Sequence, residues 1–154
     1  MCGHPSPTRS CVKGGCCMDE LVARITKAWL VKASHDLQAA ELLASNGDKV
    51  LDAAIYHCQQ CAEKALKGFL AAQNEPIQKT HDLRLLVTMG SAFDATLPTF
   101  RTDAEMLNPM GVKYRYPDPS LPDPEREEFT EALAAARRIY DFVLSVLPPE
   151  THPA

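Results

Sequence analysis

Four side chains of this sequence have chemistry suited to holding an anion: His57, Lys64, His81 and Arg115. Two imidazoles and two cations brought to one face can bind a phosphate or a nucleotide through charge-assisted hydrogen bonds. A guanidinium adds a planar, bidentate fork. His57, Gln60 and Lys64 follow steps of three and four, which sets three hydrogen-bonding heads in a row along one helix face. The opposing reading makes His57 and His81 capping or edge-bonded residues, Lys64 a solvated stem, and Arg115 a partner of loop carbonyls or Asp118. A second pattern, Cys58-Gln59-Gln60-Cys61, has the CxxC spacing of a redox pair or half a metal site. No βαβ pattern surrounds it and no second CxxC follows. Both sulfurs fall on an apolar stripe, where free cysteine behaves as a small hydrophobe. Packing is the reading adopted for this pair, and no metal or cofactor is assigned.

The stretch 52–73, DAAIYHCQQCAEKALKGFLAAQ, must carry His57, Gln60 and Lys64. It is rich in Ala, Leu, Lys, Gln and Glu, the residues that lose least on entering a helix. Ala54, Cys58, Cys61, Ala65 and Phe69, with Ile55, Ala62 and Leu66, make a stripe wide enough to face a core. Small residues along it let a neighbouring helix come close. Before it, a helix is expected from 19 to about 45. Asp19 and Glu20 suit the positive end of its dipole. Leu30, Ala33, Leu37, Ala40 and Ala44 alternate steps of three and four, the seam of an antiparallel bundle. Trp29 is expected to anchor the bundle's end, and His35 and Asp36 to be solvated or bonded at an edge. Asn46-Gly47-Asp48 reads as a stop and turn, so the first two helices form a hairpin.

Pro76 ends the second helix. Thr80 is expected to cap a third helix over 81–97, with Asp82 in its first turn and Leu83, Leu86, Val87 and Phe93 on its buried side. A short fourth helix over 100–108 would turn Met106 and Leu107 inward. Pro109 and Gly111 then open a stretch expected to be irregular, running on through YRYPDPSLPDP. A long loop kept in a compact domain is often functional, and this one holds Arg115, Tyr116 and Asp118. The last helix starts near Pro124-Glu125. Phe129, Leu133, Ala136, Tyr140, Val143 and Leu147 give the cleanest helical period in the chain, and Pro148-Pro149 stops it. The expected architecture is all-α: an up-and-down four-helix bundle with a short extra helix and a Pro-rich loop before the last helix.

Three pieces of the chain, YHCQQCAEKALKGFL, Thr80-His81-Asp82-Leu83 and Tyr114-Arg115-Tyr116-Pro117-Asp118, resemble the HEPN domain in their order and spacing. This is the helical-bundle family named for prokaryotes and higher eukaryotes, and the resemblance runs over about 26–147. It implies a helical bundle, in a family that holds both ribonucleases and proteins with no known chemistry. The ribonucleases resemble one another in an Arg and a His separated by four to six residues. There the Arg stabilises a phosphorane and the His moves a proton. Arg115 is the suitably placed Arg, and the positions that would hold the His are Ser120, Leu121 and Pro122. The resemblance therefore implies the branch without the ribonuclease motif, a non-catalytic binding module. Such modules are similar to the helical half of two-component, toxin–antitoxin-like systems whose other half is a minimal nucleotidyltransferase. A homodimer that engages a nucleotide or that partner is expected, with His57, Gln60, Lys64, His81, Asp82, Arg115, Tyr116 and Asp118 as the ligand-binding set. The alternatives are a ribonuclease toxin using His57 or His81, and a purely structural interaction module.

Composition sets the outer bounds. A chain of 154 residues suggests one domain, placed at 18–150 after a Cys-, Gly- and Pro-rich head at 1–17. The head lacks the apolar centre of a secretory signal. His4, Cys11, Cys16 and Cys17 fit no common zinc spacing, so a disordered tail with Met18 as an alternative start is expected. A 45% apolar content can bury a core, and 6% aromatic fits a bundle of Leu and Ala. The net charge of −4 argues against a generic nucleic-acid binder, and RNA is not an expected partner. No apolar run approaches the ~20 residues of a membrane span, so a soluble, cytoplasmic protein is expected.

Overall fold

The computed structural model describes residues 18–154, so the tail at 1–17 and the zinc candidate within it lie outside the described residues. Asp19 begins the first helix, α1 (Glu20–Ser45), by accepting the Leu21 N–H at 2.8 Å. At the other end the Asn46 amide donates to the Leu42 carbonyl at 3.0 Å. Gly47 then takes φ +96°, a region costly for residues with a Cβ, and the chain reverses into α2 (Leu51–Ala72). Asn74 closes α2 from the left-handed region, and the Gln73 and Glu75 N–H groups both reach back to the Leu70 carbonyl.

α2 is the centre of the bundle and touches each of the other five α-segments. Every residue from Ala65 to Ala71 is buried, as expected for a helix packed all round. Gly68 sets its distance from α1: a Cβ there would stand 3.0 Å from Leu30 Cδ2 and 3.2 Å from Trp29 Cβ. The remaining segments are α3 (Leu83–Gly90), α4 (Arg101–Leu107), α5 (Met110–Lys113) and α6 (Arg126–Val146). Single 3₁₀ turns occupy Leu97–Phe100 and Pro149–Thr151. α6 lays Phe129, Ala132, Ala136, Ile139, Tyr140 and Val143 on the core. Its start is locked to the α1–α2 turn by Arg126, which donates to Asp48 and, at 3.0 and 3.1 Å, to the Ala44 carbonyl. The fold is the all-α bundle expected.

Several local expectations are corrected. α3 stops at Gly90 rather than at 97, and Leu97 packs back against that glycine, where a Cβ would stand 2.5 Å from Leu97 Cδ1. The chain turns there, Asp94 accepts the Thr96 N–H at 2.7 Å, and Leu97 drops fully into the core while Phe93 stays 45% exposed. Asp82, not Thr80, caps α3; the Thr80 hydroxyl instead accepts the Asp82 N–H. The stretch after Pro109 is not irregular throughout, since Met110 buries itself by forming the one-turn α5. Trp29 is half-buried and lies against the later turns of α2, beside Gly68. Asp36, expected to be solvated or bonded, is the latter: it is buried on the side of α1 that meets α2 and bonds His57 and Lys64.

Cys58 and Cys61 are free and fully buried. Burial pushes the Cys58 thiol up to about 12 and raises Cys61 as well. Among the described residues no helix is long and apolar enough to cross a membrane. Two outcomes follow for the α1–α2 contact. Both buried thiols should ignore a thiol reagent in the native protein and react once it is unfolded; reaction at native rates would return the pair to redox or metal chemistry. Gly68→Leu should lower stability by roughly 1–3 kcal/mol in urea melts through overpacking against Leu30, and an unchanged midpoint would contradict the close approach.

Candidate functional site

Gln59, Glu63 and Lys67 stand four residues apart on α2, and helix geometry brings such side chains together. The row faces inward, with exposures of 1%, 3% and 6%. A buried carboxylate is costly unless donors surround it. Glu63 has them: Lys67 Nζ at 2.8 Å, Gln59 Nε2 at 3.2 Å, Gln60 Nε2 at 3.4 Å, and His81 Nδ1 at 3.0 and 3.2 Å from its two oxygens. Burial alone would raise the Glu63 carboxyl. The hydrogen bonds from Lys67, Gln59 and His81, with the Lys67 charge, outweigh it and hold the group below the usual carboxylate range. Lys67 Nζ also lies 5.6 Å from the centre of the Trp29 ring, a cation–π contact that joins α1 to the same network.

His81 reaches Glu63 because of how α3 begins. Asp82 accepts the Arg84 N–H at 3.0 Å, and Asn108, just after α4, accepts the Leu83 N–H at 2.8 Å. The Arg84 guanidinium forks onto both Asp82 oxygens and holds that carboxyl below its ordinary range. From the other side α5 comes close to α2, and a Cβ on Gly111 would stand 2.9 Å from the Gln59 carboxamide carbon. Lys113 and Tyr114 then pin the following loop to Glu128 of α6, at 3.0 and 2.8 Å. This leaves the Arg115 guanidinium 5.9 Å above the Tyr56 ring and 5.7 Å from that of Tyr116.

Between these elements lies a cleft of about 450 Å³. Tyr56, Gln59 and Gln60 line it from α2, His81 and Asp82 from the entry to α3, and Asn108, Gly111, Val112 and Arg115 from the segment around α5. Asp82 is neutralised by Arg84, and Glu63 by Lys67. Arg115 carries no carboxylate partner among the described residues. The arrangement can receive an anion against a guanidinium, with an aromatic face alongside for a planar group.

Of the expected residues, Gln60, His81, Asp82 and Arg115 meet in this cleft. His57 and Lys64 are drawn to a different carboxylate: both bond to Asp36 of α1, at 2.8 and 2.5 Å. Tyr116 meets the cleft through Arg115 and is otherwise 63% exposed. Asp118 closes its own turn by accepting the Ser120 N–H at 2.9 Å and hydroxyl at 2.6 Å, and it takes no bond from Arg115. Sequence reasoning passed over Tyr56, Gln59, Glu63 and Asn108. The four-step row of Gln59, Glu63 and Lys67 was the available signal for Glu63. Asn108 had none, since its role exists only once α4 meets the start of α3. Among the described residues no group of three or more His, Cys, Asp or Glu side chains stands ready to hold a metal ion.

The buried pair sets a stability prediction. Glu63→Ala strands the Lys67 charge and should lower stability by about 3–5 kcal/mol, whereas Glu63→Leu with Lys67→Met should recover most of the loss. A lowered folded-state carboxyl contributes its stability above the unfolded value of ~4.3 and loses it as pH falls through the folded value. Acid melts of the wild type should therefore steepen below about pH 4, and those of the double variant should be flatter. Equal slopes would remove Glu63 from the account.

The chain was compared with known proteins. A family model of the HEPN domain matches residues 26–146. The crystal structure of TT1696 from Thermus thermophilus superposes with a TM-score of 0.66 at 30% identity, covering 79% of this chain and 98% of that one. That of ST0689, described as an archaeal HEPN homologue, superposes with a TM-score of 0.61 at 28% identity, covering 78% and 95%. A comparison with curated proteins gave no significant match. With the family model spanning most of its length and two solved bundles superposing on it, the chain belongs to the HEPN domain family.

Proposed function

We propose that this HEPN domain is a non-catalytic binding module that holds the phosphate of a nucleotide in the cleft between α2, α3 and α5. It works as a homodimer beside a partner protein of the minimal nucleotidyltransferase kind. The observation that carries the reading is Arg115: a guanidinium without a carboxylate partner among the described residues, laid over two tyrosine rings at a cleft lined by amide and imidazole groups. Such a cation is neutralised best by a ligand, and the Tyr56 ring offers a base a face to stack on. The absence of a His after Arg115 at the ribonuclease spacing supports binding over cleavage.

A second reading has one observation in its favour. His81 and Arg115 line the same cleft, the pairing of proton carrier and charge stabiliser that phosphodiester cleavage needs. His57, the other candidate for that role, is committed to Asp36.

One experiment tests both. In calorimetric titrations, Arg115→Ala should weaken nucleotide binding by roughly 1–3 kcal/mol, and Arg115→Lys should restore only part of it. Affinity should fall as salt rises, and labelled single-stranded RNA should stay intact at neutral pH. RNA cleavage that vanishes in His81→Ala would make the protein an enzyme. No heat and no cleavage would leave a protein partner as the ligand, and light scattering at the monomer mass would remove the dimer.

A further inference from the structure

Glu63 does more than balance Lys67. Three side chains that line the cleft, Gln59, Gln60 and His81, bond to this one buried carboxylate. A buried ion pair is often replaceable by apolar residues with no loss of stability, so packing does not account for it. Orienting ligand-facing groups does.

The orientation is specific. A deprotonated carboxylate only accepts, so the ring proton of His81 is held on Nδ1, against oxygens at 3.0 and 3.2 Å. Nε2 of the uncharged ring is then an acceptor, on a side chain that is 80% exposed. Gln60 spends its carboxamide nitrogen on Gln59 at 2.8 Å and on Glu63 at 3.4 Å, which leaves its oxygen as a second acceptor. The other open groups that line the cleft are donors: the Arg115 guanidinium, and the Asn108 carboxamide nitrogen, whose oxygen is taken by Leu83. A bare phosphate uses the donors alone. A ligand that also satisfies the acceptors carries hydroxyl groups beside its phosphate.

We propose that the cleft reads the sugar hydroxyls of its nucleotide: Glu63 is a positioning residue that presents His81 Nε2 and Gln60 Oε1 to the ribose hydroxyls, while Arg115 and Asn108 donate to the phosphate. The proposal rests on the nucleotide-binding reading above.

The test titrates the full chain with the four ribonucleoside 5′-monophosphates and their 2′,3′-dideoxy counterparts, and reads the His81 tautomer by nitrogen-15 NMR at about pH 8, where an ordinary imidazole is uncharged. The wild type should show His81 as the Nδ1–H tautomer and bind at least one ribonucleotide about tenfold tighter than its dideoxy form, the scale of one or two net hydrogen bonds. His81→Ala should cut that ratio severalfold, while Arg115→Ala should weaken both sugars alike. Glu63→Gln should release the tautomer and lower the ratio. Because it strands Lys67, Glu63→Gln with Lys67→Met serves as the second variant. Equal affinity for both sugars, with Arg115-dependent binding kept, overturns this inference alone. An Nε2–H tautomer in the wild type, or an unchanged tautomer and ratio in both Glu63 variants, does the same. Loss of all Arg115-dependent binding overturns the nucleotide reading and this one with it.

Discussion

A single carboxylate buried in the middle of a helix sets the terms for half of this bundle. Glu63, 3% exposed, has to be met by donors from every side. Lys67 comes from one turn on, Gln59 from one turn back, and His81 from a segment eighteen residues away. Because His81 must arrive there, α3 has to begin beside α2. The caps of α3 are accordingly borrowed: Asp82 from its own start, and Asn108 from the far side of α4. The polar network and the chain's path are thus one constraint.

The same constraint explains why a cleft exists at all. Four straight helices would close around a filled core. Here the fourth position is broken into α3, α4 and α5, short helices joined by turns at Gly90 and Pro109. Each break has a packing cause: Leu97 needs the volume beside Gly90, and Met110 is buried by the single turn of α5. Gly111 brings that turn onto the Gln59 carboxamide. The space left beside it holds polar groups that are supported from behind by Glu63.

Polar side chains in the α2 neighbourhood are paired with little left over. Asp36 takes His57 and Lys64, Glu63 takes Lys67 and His81, and Asp82 takes Arg84. Glu128 tethers Lys113 and Tyr114, which aims the next residue, Arg115, at the cleft without neutralising it. Local pairing rather than net charge therefore leaves Arg115 without a carboxylate partner among the described residues, in a chain whose net charge is −4.

Local physics settled what the sequence could settle alone. α1, α2 and α6 were legible because their apolar residues keep a helical period over twenty or more positions. The Asn46-Gly47-Asp48 turn was legible because a positive φ calls for glycine. Gln60, His81, Asp82 and Arg115 were legible by residue type. Their company was not. From sequence, His57 and Lys64 stood in one row with Gln60, and only the packing of α1 on α2 showed that Asp36 claims both. The end of α3, the turn of α5 and the roles of Glu63, Tyr56 and Asn108 depend on which surfaces meet across long stretches of chain. Helical period is a property of neighbours along the chain, whereas the partner of a buried charge is a property of neighbours in space, and only the folded bundle decides it.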